Sequence, residues 1–133
     1  MKNTTNEFSF VLKPSKYGVG VFAAHGIAKG TPLRLYGDEP NMALRSLERN
    51  KEDVPESLRD YCMDRDNGIL ICPRDFGRME VGWYLNHSSQ PNTYRDEKYD
   101  WYAARDIVAD EEIVIDYNLL EEPAEARDEY YKE

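Results

Sequence analysis

The run Asn86-His87-Ser88-Ser89-Gln90-Pro91-Asn92 places three amides, an imidazole and two hydroxyls directly after an apolar segment, Val81 to Leu85. Asn86 brings amide donors and a carbonyl acceptor, and a neutral His87 brings one donor and one acceptor. That set suits a polar ligand, although the same residues also make an ordinary turn. Gly18 and Gly20, one residue apart ahead of the apolar strand Val21 to Ala24, allow a ligand to approach bare backbone. A third glycine and a following helical pattern are missing, so this pair does not support a dinucleotide fold. Tyr117 closes a period-two segment in which Ile113 and Ile115 share its face, with Val114 and Asp116 on the other. A phenol there ends a strand while pointing to the apolar side.

The elements that must position these groups are mostly short strands. Residues 1–7 are polar and read as a flexible N-terminus. Phe8 to Leu12 alternate as a strand does, and Lys13-Pro14-Ser15-Lys16 reads as a turn. Gly26 to Gly30 reads as a further turn, and Pro32 to Gly37 as a short strand. Met42, Leu44 and Leu47 predict one partly apolar helical face, followed by a charged loop from Glu48 to Asp53. Pro55, with Leu58 and Tyr61 behind it, predicts a short helix. Residues 38–60 are therefore expected to be a partly helical insertion on a β core. Asp66-Asn67-Gly68 between two apolar runs is a strong hairpin signal. Tyr99 to Ala104 reads as a strand, Ala109-Asp110 as a turn, and 119–133 as an acidic helix or tail. The fold class is mainly β with short helices.

A chain of 133 residues, 41% hydrophobic, is long enough for one domain with a single core. With 26 acidic against 17 basic residues the net charge is −9, which argues against nucleic acid as the main partner. It favours a cationic small molecule or a Lys/Arg-rich peptide. Two cysteines and two histidines give no zinc-ligand spacing, so no metal is expected. Two cysteines also make no disulfide framework, which points to a reducing intracellular compartment, cytoplasmic or nuclear. Without an apolar run of membrane length or a signal-peptide core, a soluble, unanchored chain is expected.

Four segments together, in this order, resemble the SET domain family of protein-lysine methyltransferases. Tyr17-Gly18-Val19-Gly20-Val21-Phe22 resembles its N-terminal G-x-G motif, and Tyr36-Gly37 a second short strand motif. Asn86 to Asn92 is similar to the N-H-S-x-x-P-N signature, and Glu111 to Tyr117 resembles the closing E-E-hydrophobic-x-x-D-Y. The match covers roughly residues 8–118 and looks most like compact viral or bacterial members. The resemblance implies a β-clip fold with a C-terminal pseudoknot-like threading, an exception to the usual avoidance of threaded connections. It also implies S-adenosylmethionine-dependent methylation of a lysine side chain in a basic protein, with a histone as one example and S-adenosylhomocysteine as product.

By that resemblance Tyr117 stands at a lysine channel, with Tyr36 and Tyr61 where relatives place other channel aromatics. Gly18, Val19 and Gly20 would serve the methionine portion of the cofactor through their backbone. Asn86 would bind its amino-acid end and the His87 backbone its adenine edge, with Tyr117 touching cofactor and substrate alike. The His87 side chain is expected to hold the turn, and Asp116 to fix the closing loop. Lysine has a pKa of roughly 10.4 and arrives protonated. Burial beside a sulfonium lowers that value, so the proton can leave to water without a dedicated base.

Departures from the family pattern stand at Ser89, where many members carry cysteine, and at Trp83, where arginine is frequent. Asp110 replaces a usual glycine, and Ile115 lies where larger members carry Phe or Tyr. Without a zinc cluster after residue 118, closure over substrate is expected from residues 119–133, Tyr130 and Tyr131 among them, or from a second subunit. A homodimer is thus left open. Two other functions stay open: a non-catalytic module that docks a basic partner, and a methyltransferase of a small amine.

Overall fold

The computed structural model describes residues 1–16, 18–37, 46–98 and 100–117. Nine short strands, β1 to β9, are found among these residues, in three small sheets. β1 (Phe10–Ser15) and β2 (Gly18–Ala23) pair antiparallel along their whole length, from Phe10 opposite Ala23 to Ser15 opposite Gly18. The expected turn at Lys13-Pro14-Ser15 is thus strand. Pro14 is tolerated because β1 lies at the sheet edge, where a missing N–H leaves no ladder bond broken.

β2 continues to β9 (Glu112–Ile115), and β9 pairs in parallel with β6 (Asn86–His87), Asn86 opposite Val114 and His87 opposite Ile115. The buried face of this sheet alternates as its sequence does: Val21, Ala23, Ile113 and Ile115 are all within 2% of full burial. Asn92, also buried, supports β9 from outside the ladder. Its amide donates to the Glu112 carbonyl at 2.8 Å and its side-chain oxygen accepts from Val114 N–H at 3.0 Å. An orphan amide at this depth would be costly, and both of its ends are satisfied by backbone.

The second sheet runs β3-β5-β4, from Ser46–Asn50, Ile69–Pro73 and Met63–Asp64. Here the helical face expected at Met42, Leu44 and Leu47 is corrected. Leu47 lies opposite Cys72 in an antiparallel ladder, while Met42 and Leu44 lie outside the described residues. Ladder partners 19 to 27 residues away supply hydrogen bonds that a three-residue apolar spacing does not announce. The hairpin at Asp66-Asn67-Gly68 forms as read, with Asn67 at φ 63° and Gly68 at φ 72°. A one-turn helix, α1 (Glu56–Arg59), follows Pro55.

The third sheet pairs β7 (Thr93–Arg95) with β8 (Trp101–Ala103). Pro32 to Gly37 is not the expected strand. One isolated bridge, Pro32 to Tyr102, is its only ladder contact among the described residues, and the segment then turns at Gly37, φ 73°. Leu33 and Leu35 nevertheless reach the main core beside Trp83, Leu85, Trp101 and Ile107. β9 ends at Ile115, so Tyr117 stands two residues past the strand it was expected to close. Asp110 adopts φ 70°, the left-handed turn its neighbourhood in the sequence implied.

Candidate active site

The apolar run Val81–Tyr84 is a 3-10 turn that ends at β6, and it carries Gly82 and Trp83 into the interior. Gly82 has no alternative there. A Cβ on it would lie 2.4 Å from Cζ of Tyr36, so the ring of Tyr36 rests flat against bare backbone. The Tyr36 hydroxyl donates to the Gly82 carbonyl at 3.1 Å, and Trp83 meets the ring edge-on at 5.7 Å. Edge-to-face pairing at this separation is favourable beyond the area buried.

These groups line one pocket together with Asp60, Tyr61, Cys62, Met63, Leu85, Ile115 and Tyr117, enclosing about 390 Å³ of space that is partly open solvent. The three tyrosines proposed from the sequence, Tyr36, Tyr61 and Tyr117, thus come together from segments 25 to 81 residues apart. Tyr61 is braced by the ring of Tyr84 at 5.1 Å. Tyr117 donates its hydroxyl to the Leu85 carbonyl, and its backbone N–H donates to His87 Nδ1 at 3.0 Å. His87, buried, uses its side chain to set the position of Tyr117. Asp116 lies 3.8 Å from the same Nδ1.

A second cluster lies on the other side of β6. Asn86 Nδ2 is within hydrogen-bond reach of Glu112 Oε2 at 2.8 Å, the Val19 carbonyl at 3.1 Å and Ser15 Oγ at 3.3 Å. Ser15 Oγ in turn donates to the Glu112 carboxylate at 2.9 Å and 3.0 Å. Gly20 is buried against this group, and a Cβ there would meet Glu112 Oε2 at 2.4 Å. Gly18, at φ 104°, has open space beside it. Gly18, Val19, Gly20 and Asn86 therefore share one polar patch, and His87 and Tyr117 connect that patch to the aromatic pocket.

Glu112 and Ser15 were missed as site residues. Glu112 carried a signal, since 112, 114 and 116 share the strand face opposite Ile113 and Ile115. Ser15 carried none, because its placement depends on β1 continuing through Pro14. Asp60 and Cys62 were likewise not singled out. The Cys62 thiol lies against Cys72, and burial, followed by the Cys72 side chain and its charge, pushes its pKa above the ordinary range.

Beyond the pocket, Glu111 is held below the usual carboxylate range. Burial pushes it up, but hydrogen bonds from Arg105, Asn92 and Val108 N–H, with the Arg105 charge, outweigh that effect. These contacts anchor the start of β9.

The SET domain family profile matches residues 18–118. A Plasmodium falciparum (isolate 3D7) protein named as a candidate histone-lysine N-methyltransferase 1 is 28% identical over 127 residues, 90% of this chain. The chain spans 2% of that relative's length. Among solved structures, KRYPTONITE in complex with mCHG DNA and SAH aligns with 81% of this chain and 23% of its own, at 22% identity and a TM-score of 0.50. A Plasmodium falciparum candidate histone methyltransferase aligns with 83% of this chain and 93% of its own, at 22% identity and a TM-score of 0.49. At such identities the structural likeness concerns the fold alone.

Proposed function

The chain belongs to the SET domain family, and on that premise we propose that it is an S-adenosylmethionine-dependent N-methyltransferase acting on a lysine side chain of a basic protein. The observation that carries the reading is the meeting of Tyr36, Tyr61 and Tyr117 in one pocket, which Leu85 lines one residue ahead of Asn86. An aromatic pocket suited to an amine and a polar patch suited to an amino-acid end are thus linked through His87, which neighbours Asn86 in β6 and accepts from Tyr117 N–H.

The polar patch fits the cofactor by its chemistry. The Glu112 carboxylate and the Val19 carbonyl are acceptors suited to an ammonium, and the backbone at Gly18 stands open. Gly18, Val19, Asn86 and Glu112 would hold the amino-acid portion. When bound, S-adenosylmethionine supplies a methyl group on a sulfonium, ready for in-line displacement by a neutral amine. The protein's own part is alignment and desolvation. Tyrosine faces attract the incoming ammonium by about 0.5–2 kcal/mol. The buried floor, Leu85 and Ile115, then favours the neutral amine, whose proton leaves to water. Tyr117, fixed through both its hydroxyl and its N–H, forms the wall between amine and polar patch. Its phenol has a reference pKa of roughly 10, too high for a standing base at neutral pH. Net charge −9 suits a lysine-rich protein substrate, with histone tails as one class.

The test is transfer of a labelled methyl group from S-adenosylmethionine to lysine peptides and basic proteins, with Tyr117→Phe and Asn86→Ala beside the native chain. Label on lysine that falls in both variants supports the reading. A folded native chain that neither binds the cofactor nor labels any substrate rejects it, in favour of a module that docks basic partners.

A further inference from the structure

Among the described residues that line the aromatic pocket, Asp60 alone carries a charge at neutral pH. It caps the C-terminal end of α1 and is exposed, and its carboxylate has no hydrogen-bond or ion-pair partner among the described residues. Its immediate neighbours in the pocket are of a different kind. Tyr61, Cys62 and Met63 are half-buried, while Tyr36, Trp83, Leu85 and Ile115 are 8%, 5%, 4% and 2% exposed. The pocket thus grades from one solvated carboxylate to an uncharged floor.

That gradient has a chemical meaning. A carboxylate left without a protein partner, in a pocket that three tyrosines also line, is a receptor for a cation, and a primary ammonium on a flexible stem can use both kinds of group. The uncharged floor beyond it offers no counter-ion, so the same ammonium is captured at the exposed end and loses its proton further in.

We propose that Asp60 is a specificity-determining residue that captures the charged ammonium of the substrate lysine at the pocket mouth, and so selects cationic over uncharged side chains. The proposal rests on the methyltransferase reading, deepening it with a residue the family motifs do not include. Its effect lies on substrate capture and leaves the transfer step to Tyr117 and the floor.

The experiment compares the native chain with Asp60→Asn and Asp60→Glu, using one lysine peptide and the same peptide acetylated at that lysine. Asp60→Asn is expected to raise KM for the lysine peptide about three- to fivefold, the range for an exposed ion pair, with kcat within about twofold. Asp60→Glu returns most of the loss, and the difference shrinks at high salt. Peptide affinity, measured by fluorescence anisotropy without turnover, should fall by the same factor for the lysine peptide and stay level for the acetylated one. Unchanged affinity in Asp60→Asn, or equal losses with both peptides, overturns the proposal. Because the affinity arm needs no methyl transfer, a native chain that transfers none rejects the methyltransferase reading and leaves the fate of Asp60 to that arm.

Discussion

The Tyr36 ring and Gly82 occupy each other's only available space: the hydroxyl donates to the Gly82 carbonyl at 3.1 Å, and a methyl on Gly82 would overlap the ring at 2.4 Å. Gly82→Ala therefore forces the ring into the pocket or the 3-10 turn out of the core. Overpacking of this kind costs about 1–3 kcal/mol. A lowered melting temperature with loss of methyl transfer is expected. A variant as stable and active as the native chain would show that the ring moves freely.

Tyr117→Phe keeps the ring wall and removes the donor to the Leu85 carbonyl. The stability change should be about 1 kcal/mol, that of one part-buried hydrogen bond. Methyl transfer should fall much further, by about a hundredfold, because the ring wall loses the hydroxyl anchor that fixes its position beside the amine. Single-turnover rates with saturating cofactor check this.

Asn86→Ala leaves the Glu112 carboxylate with Ser15 alone of its two described side-chain donors. Titration calorimetry with S-adenosylhomocysteine should show affinity reduced by about tenfold or more, a loss of about 1.4 kcal/mol or more. Unchanged affinity would assign Asn86 to the fold and not to the ligand.

Cys62 should behave as a sluggish thiol. Burial and the neighbouring Cys72 hold its proton above the ordinary value of 9.0, so little thiolate exists at neutral pH. Maleimide labelling is expected to run slower than for a free thiol between pH 7 and 8. The raised value also has a stability consequence. Above pH 9.0 the unfolded chain releases the proton while the folded chain keeps it, so stability should fall as pH rises further.

Glu111 gives the opposite dependence. Its folded-state pKa lies below 4.5, so its share of stability is present above that value and is lost as pH falls through the folded value. Arg105→Ala, which removes the Arg105 hydrogen bond and charge, should make acid unfolding begin at higher pH, followed by circular dichroism.

Much of the candidate site was legible because two kinds of signal survive in a bare sequence. Backbone demands leave their mark at single positions: Asn67, Gly68 and Asp110 all adopt positive φ where turn chemistry pointed to them. Ordered motifs brought Tyr36, Asn86 and Tyr117 into view, and the pocket places two of them beside Tyr61. What stayed hidden depends on distant partners. Leu47 is strand because Cys72 lies opposite, and Ser15 reaches Asn86 and Glu112 because β1 runs through Pro14 and pairs Ser15 with Gly18. Pro32 to Gly37 had the composition of a strand but only a single bridge to support it. The expectation for Tyr130 and Tyr131 falls outside the described residues.

The parallel pairing of Asn86-His87 with Val114-Ile115 also dictates when the site can come into being during synthesis. Ser15, Asn86 and Glu112 are separated by 71 and 26 residues, and His87 fixes Tyr117 from 30 residues away. No nascent chain shorter than Glu112 can close the polar patch, and none shorter than Tyr117 can close the tyrosine wall. Until β9 clears the ribosome, Ile113 and Ile115 are missing from the core and the inner faces of Val21 and Ala23 stand uncovered. Closure of the polar patch and completion of the core therefore arrive in one step, and a chain arrested before residue 112 is expected to bind chaperones.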